Sequence, residues 1–446
     1  MKMRSLIGVL AVVLLAVPAA EAKSRSHPSK KLTPMIFVHG GAGSGAQFAS
    51  QALRFTSNGY SHRQIYVFEY DSTTAIANMD QLHARLDQLI AKVKQQTGKS
   101  KVDILGHSLG TTVMHLYLLT PARAANIAHY ANIDGRTGTS PPGGVPTLAL
   151  WAGRGTPGRE IVGATNVTIP NQTHVQVATS VESFVPMFKF FTGRVPRHNI
   201  ERQRHITLSG RAQLFPENVG VGDRTLQIWQ VKGSTGQRKR RVATRDIAAD
   251  GAWGPVRGLK AGRHYEFALL QPGASTHHIY FEPFTRSDHL VRLLTSQPNA
   301  GVNLLIERSP RHSAVTIVRY KEFWGDQGAE SDVLNINGTA VLNAATAPID
   351  KRVIGMFAFD TGSDGVSNVS VPHPVFFSLP FLSGVDLFLP AAAPPTGKVS
   401  VALRNRGAGP TRTVNFPNFP SSTDSVSVNL NDFEYTSARW VRKRRR

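Results

Sequence analysis

The sequence predicts an α/β fold, a mostly parallel sheet with helices on both faces, followed by a β-rich C-terminal half. Three observations carry this. From Pro34 to Gly193, short apolar runs alternate with stretches of helical period, as in a parallel sheet covered on both faces. After Arg197 the apolar runs alternate with polar residues and are separated by Gly, Pro, Asn and Asp, the pattern of antiparallel strands. The chain of 446 residues also exceeds one ordinary domain, and its 41% hydrophobic content can fill two or three cores.

The elements follow in order. Buried strands are expected at Pro34 to Val38 and Gln64 to Tyr70. A helix should run from Met79 to Gln96, because Leu82, Leu86, Leu89, Ile90 and Val93 repeat at its period and Gly98 can cap it. Val102 to Leu105 reads as a strand, and Gly110 to Leu119 as a helix stopped by Pro121. Strands are expected at His129 to Ile133, Pro146 to Trp151 and Ala164 to Ile169, then a helix from Val175 to Phe191. Beyond it, Thr225 to Val231, Tyr265 to Leu270 and Val399 to Leu403 are strands of the second kind. The stretch Thr295 to Gly301 reads as a linker and splits this half into two β-domains. The expected organisation is 1–22 signal peptide, 34–196 α/β domain, 197–298 and 299–436 β-domains, and 437–446 a basic tail.

Composition bounds function. Met1-Lys2-Met3-Arg4 is a basic start, Leu6 to Val17 an apolar run short for a bilayer, and Ala20-Glu21-Ala22 a small-x-small cleavage site. This predicts a secreted protein cleaved near Ala22. The absence of cysteine excludes disulfides, thiol nucleophiles, thiolate metal sites and lipidation at cysteine. A net charge of +22 favours anionic partners, an anionic membrane or envelope surface among them. The clusters at 237–241 and 439–446 read first as a solvated loop and a basic terminus. No signature of specific nucleic-acid binding accompanies them, and the sequence does not specify an oligomeric state.

The chemistry gathers around Gly106-His107-Ser108-Leu109-Gly110. G-x-S-x-G alone is moderate evidence, but here it joins a strand to a helix. In such a nucleophile elbow the tight turn demands small neighbours and exposes the serine hydroxyl at the C-terminal sheet edge, where ligands bind. A serine needs a base, and the base an acid, in the order serine, acid, histidine. Between Ser108 and His174 the only acids are Asp134 and Glu160. Asp134 follows the strand ending at Ile133 and is favoured; Glu160 lies later in a loop and is the alternative. His174 follows the last predicted strand, where the base belongs, whereas His115 and His129 fall within a helix and a strand, and His198 beyond the domain. The oxyanion needs two N–H donors, expected from Leu109 and from Gly41 in Phe37-Val-His-Gly-Gly-Ala-Gly43. His39 and His107 are expected to support the turn.

Together the HGGAGS loop, the GHSLG elbow, Asp134 in ANIDG and His174 in NQTHVQ resemble the serine esterases and lipases of the α/β-hydrolase family. The nearest likeness is to secreted lipases, archaeal ones included, that join a compact hydrolase domain to a C-terminal β-domain. ADGAWGPVRGLKAGRHYEFAL is similar to transthyretin-like or carboxypeptidase-regulatory β-sandwiches. The resemblance implies carboxylic-ester hydrolysis, often of lipid acyl esters, through an acyl-enzyme on Ser108, with no metal or cofactor. No long insertion marks a large lid. Two further readings stay open: depolymerisation of a polyester by the same machinery, and a non-enzymatic envelope-binding protein. Because the β-half lacks an elbow, it is expected to bind substrate or surface, so removing Arg197 to Arg446 should spare short-chain ester hydrolysis and weaken action on long-chain or aggregated substrate; the alternative is that this half caps apolar surface, and then the truncated chain is insoluble or unfolded.

Overall fold

A computed structural model describes residues 32–297, 300–407 and 409–433. The expected signal peptide and basic tail lie outside these residues. Within 32–196 the order is β1 (Met35–Val38), α1 (Ala49–Ser57), β2 (Ile65–Phe68), α2 (Met79–Thr97), β3 (Val102–His107), α3 (Leu109–Leu118), α4 (Pro121–Ala124), β4 (Ile127–Ile133), β5 (Thr147–Ala152), β6 (Thr165–Ile169), α5 (Gln176–Thr179) and α6 (Val181–Thr192). The six strands form one parallel sheet in the order β2-β1-β3-β4-β5-β6.

Strand alternation explains why this sheet is apolar on both sides. Met35 and Phe37 point into one core with Phe55, Phe184 and Phe188. Ile36 and Val38 point into the opposite core with Leu82, Leu86 and Ile90 of α2. Gly98 caps α2 with φ 67°, as its position in the sequence predicts. The single helix expected from Val175 to Phe191 is instead two, broken at Ser180, which turns extended and caps α6 through the Ser183 N–H. Helix α1 has no counterpart in the sequence reading. Its Ser50, Gln51 and Arg54 are buried alongside Ala52 and Phe55, so no clean apolar period marks it.

The remaining strands are β7 (His205–Leu214), β8 (Thr225–Val231), β9 (Arg238–Asp246), β10 (Ala252–Lys260), β11 (Tyr265–Leu270), β12 (Thr276–Phe281), β13 (Asp288–Thr295), β14 (Val315–Val318), β15 (Val333–Ile336), β16 (Thr339–Ala340), β17 (Gly355–Phe359), β18 (Leu382–Asp386), β19 (Lys398–Arg404), β20 (Arg412–Pro417) and β21 (Asp424–Asn429). An eight-stranded sheet, β18-β17-β14-β21-β12-β11-β8-β9, runs through the whole half. Sheet β10-β7-β13 supplies Leu208, Trp253 and Leu293 to a core shared with Leu226, Ile228 and Phe267 at one end. Sheet β16-β15-β19-β20 supplies Leu334, Val401 and Phe416 to a second core with Ile317, Val426 and Val428 at the other. The two cores meet where β12 pairs in parallel with β21, joining residues 276–281 to residues 424–429.

The basic cluster at 237–241 is not a loop. Arg238 to Arg241 open β9, the outer edge of the large sheet, where Arg238 stacks 4.7 Å over Trp229 and forms an ion pair with Glu266 at 2.6 Å. Charges on an edge strand hide its alternation and also keep the edge from pairing with other chains.

Candidate active site

Parallel register brings the loop residues to one edge. His107 aligns with Ile133, Ile133 with Leu150, and Ala152 with Ile169. The ladder continues one step further, from the Ser108 N–H to the Ile133 carbonyl (3.0 Å) and from the Asp134 N–H to the Leu150 carbonyl (2.7 Å). Ser108 and Asp134 therefore leave the sheet side by side, with His174 in the loop beyond β6.

Ser108 has φ 52° and ψ −120°, a conformation that costs about 1–3 kcal/mol for a non-glycine residue. The packing that enforces it is visible at its glycines. A Cβ on Gly106 would lie 2.9 Å from the Gly110 carbonyl oxygen, and one on Gly40 would lie 3.0 Å from Ser108 Cβ. A Cβ on Gly110 would collide with the Val38 carbonyl. The elbow and the loop after β1 thus touch backbone to backbone, which brings Gly41 beside Leu109. The Leu109 N–H opens α3 and has no partner within the helix.

His174 Nδ1 lies 2.6 Å from Asp134 Oδ2. The other Asp134 oxygen accepts from the Ala152 N–H (3.0 Å) and from Arg159 Nη1 (2.8 Å). Burial works against a charge on Asp134, yet its hydrogen bond with His174, the Ala152 N–H and Arg159 together hold the carboxyl below the usual range. Glu160 is exposed.

Of the other histidines, His107 accepts from Gln47 Nε2 on Nδ1 (2.6 Å) and donates from Nε2 to the His174 carbonyl (2.9 Å). Burial, then the neighbouring His174, push His107 down to about 3, so it is a neutral strut. His39 stacks on Tyr70 at 4.2 Å and bonds the Gly40 carbonyl at 2.9 Å. His115 bonds Asn132 within the core and His129 pairs with Asp103, both away from this edge.

Ser108, Gly41 and His174 line one small pocket whose outer wall is Tyr320, Ile354 and Phe381 of the β-half. The sequence reading found none of these three. Those residues and Ala42 also line a second cavity, of about 1160 Å³ including its open mouth, between the large sheet and the segment around Val302 and Ile306. The β-half also reaches the His174 loop through Glu322, which accepts from the Val175 N–H (2.6 Å), the Gln176 N–H (2.9 Å) and Thr173 Oγ1 (2.7 Å). The one signal in the sequence was Arg319-Tyr-Lys-Glu322, charges between two apolar runs, a pattern that ordinarily marks a solvated turn.

Family models match stretches of both halves of this architecture. Residues 32–122 match the family model of class 2 lipases, residues 204–298 that of a lipase C-terminal domain, and residues 301–434 a further C-terminal domain model. Similar solved structures include the lipase BlEst2 of Bacillus licheniformis in its propeptide form, at 12% identity over 88% of this chain and 97% of that one, with a TM-score of 0.30. A predicted CIB-like hydrolase of Thermoplasma acidophilum has 13% identity over 36% of this chain and 86% of its own, with a TM-score of 0.27. The phospholipase PlaB of Legionella pneumophila has 10% identity over 90% and 93%, with a TM-score of 0.22. Lipase models thus match part of each half, around a parallel sheet that ends in a serine elbow, and support a serine ester hydrolase of α/β-hydrolase fold with a β-rich C-terminal region.

Proposed function

We propose that this protein hydrolyses long-chain acyl esters through an acyl-enzyme on Ser108, with His174 as base and Asp134 as its acid. The observation that carries the reading is the pocket of Ser108 and His174 sharing Ala42, Tyr320, Ile354 and Phe381 with a large, mainly apolar cavity. With Nδ1–H donated to Asp134, His174 Nε2 is left to take the Ser108 proton as Oγ attacks the ester carbonyl carbon. The N–H groups of Gly41 and Leu109 serve the oxyanion. Collapse expels the alcohol with the proton from His174, and water activated by the same nitrogen releases the acid.

The cavity supports the choice of chain. Val318 is in register with Asn429 and precedes Tyr320, so the serine end of the cavity lies at that end of β21. Lining continues along β21 to Asp424, about 17 Å of strand, the scale of a long acyl group. Export after cleavage near Ala22 and action at an anionic lipid surface belong to the same reading. The basic edge strand β9 supports the second, since Lys239 to Arg241 are exposed on it.

A panel of p-nitrophenyl esters from acetyl to palmitoyl tests both parts. Activity should rise toward the long chains, and Ser108→Ala should lower kcat by about 10³-fold or more on all of them. A preference for acetyl would remove the long-chain assignment, and an active Ser108→Ala variant the mechanism.

A further inference from the structure

We infer that Glu322, in the β-half, is a positioning residue for His174, so that the hydrolytic machinery is completed from outside the hydrolase domain. The inference rests on the triad proposed above. The loop bearing His174 is held at its flanks by its own domain, the Arg154 N–H donating to the Gln172 carbonyl (3.1 Å) and Gln51 Nε2 to the Ala178 carbonyl (3.0 Å), while the acceptor for its Thr173, Val175 and Gln176 donors comes from the β-half. It follows β6, the edge strand of the sheet, which is exposed along most of its length. It leads into α5, four residues long, whose N-cap Val175 offers no side-chain cap. The helix N-terminus thus presents N–H groups that its own sequence does not satisfy.

Glu322 satisfies them from across the domain boundary. It is fully buried, with 0% exposure, and its two oxygens take three donors, one before His174 and two after it. A buried carboxylate is tolerated only when it is so paired. The surrounding contacts join the same two segments. Arg406 donates to the Glu322 carbonyl (2.7 Å) and to Gln176 Oε1 (2.6 Å), and Thr179 Oγ1 donates to the Tyr320 carbonyl (3.0 Å). Arg319 donates to the Glu322 carbonyl from Nη2 (2.7 Å), and Asp332 ties Arg319 and Arg406 together, each at 2.7 Å. His107 holds the His174 carbonyl from the other side. The histidine backbone is therefore clamped between a hydrolase-domain imidazole and a β-half carboxylate, while its ring meets Asp134.

Glu322→Gln tests this. An amide has one acceptor oxygen, and its NH₂ would face an N–H donor, so the loop shifts. The expected result is a fall in kcat of about 10- to 100-fold with KM within about twofold, the effect of misplacing a catalytic group by about 1 Å. Thr173→Val removes one of the three contacts and keeps the carboxylate. It should lower kcat by a few-fold and add nothing when combined with Glu322→Gln. Rates are taken per folded molecule from circular dichroism, so lost folding does not count as lost positioning. A wild-type kcat in folded Glu322→Gln, or, if that variant does not fold, a wild-type kcat in Thr173→Val, overturns the inference. Retained activity in Ser108→Ala would instead overturn the triad on which it rests.

Discussion

The two candidate acids differ in what each carboxylate can reach. Asp134 has one oxygen for His174 and the other for the Ala152 N–H and Arg159, so its orientation is set independently of the histidine. Glu160 has its side chain in solvent. Replacing Asp134 by Asn preserves the shape but lets the imidazole take the wrong tautomer, with kcat falling by about 10³–10⁴-fold. Glu160→Gln should leave kcat within about twofold, as for surface changes generally. Steady-state kinetics of the two variants on one soluble ester separate them, and a reversed order would move the acid to the later loop. The place of Asp134 beside Ser108 could be read from the sequence because parallel register converts the end of a strand into a position in space. Glu322 and Tyr320 could not. They lie 148 and 146 residues beyond His174, and nothing local to either announces the partner it meets.

At the level of elements, alternation exposed the strands with one buried face and missed those whose partners are charged. The joint between β12 and β21 is such a place. His278 on β12 sits between Glu266 of β11 at 2.6 Å and Asp424 of β21 at 2.8 Å, and stacks on Phe419 at 4.0 Å. Burial opposes a charge on His278, but its hydrogen bonds with Asp424 and Glu266 outweigh that and raise its pKa. Burial also opposes the charge on Glu266, and Arg238 with His278 holds its carboxyl below the usual range. A histidine with a raised folded-state pKa contributes its stability in full below the ordinary value of 6.5, and the contribution fades as pH rises through the raised value. The protein should therefore lose thermal stability on going upward through that window, where the carboxylates remain charged and the imidazole does not. Melting temperatures measured between pH 6 and 9 should show the decline, and His278→Gln should flatten it. A wild-type Tm independent of pH over that range would remove His278 as a charged weld between the two cores.

On the scale of the whole molecule, the hydrolase domain and the β-half share buried charges. Glu69, just after β2, takes the N–H of Gly45 in the loop after β1 at 3.1 Å and Arg292 of β13 at 2.7 Å, both side chains almost wholly inside. Asn218 donates to the carbonyls of Gly43 (2.8 Å) and Tyr70 (2.9 Å), and Arg286 to that of Thr56 (2.7 Å). Removing one partner of a buried ion pair costs about 3–5 kcal/mol, a large part of the usual stability of a domain. The sequence, which shows two halves of different pattern and no motif in the second, leaves two expectations for the hydrolase domain alone, survival with short-chain activity or loss of folding. These contacts favour the second. A chain ending at Pro196 would take Arg292 from Glu69, expose α1 where it packs on β13, and release the His174 loop from Glu322. It should be insoluble or inactive on p-nitrophenyl acetate as well as on long-chain esters. Arg292→Met in the full chain is the finer version of the same test. It removes the charge while keeping much of the volume, and its Tm should drop by several degrees together with short-chain activity, because Gly45 and the loop after β1 lose their fixed carboxylate. A truncated protein that is soluble, folded by circular dichroism and active on the acetyl ester would mean that these contacts join two independent units rather than build one enzyme.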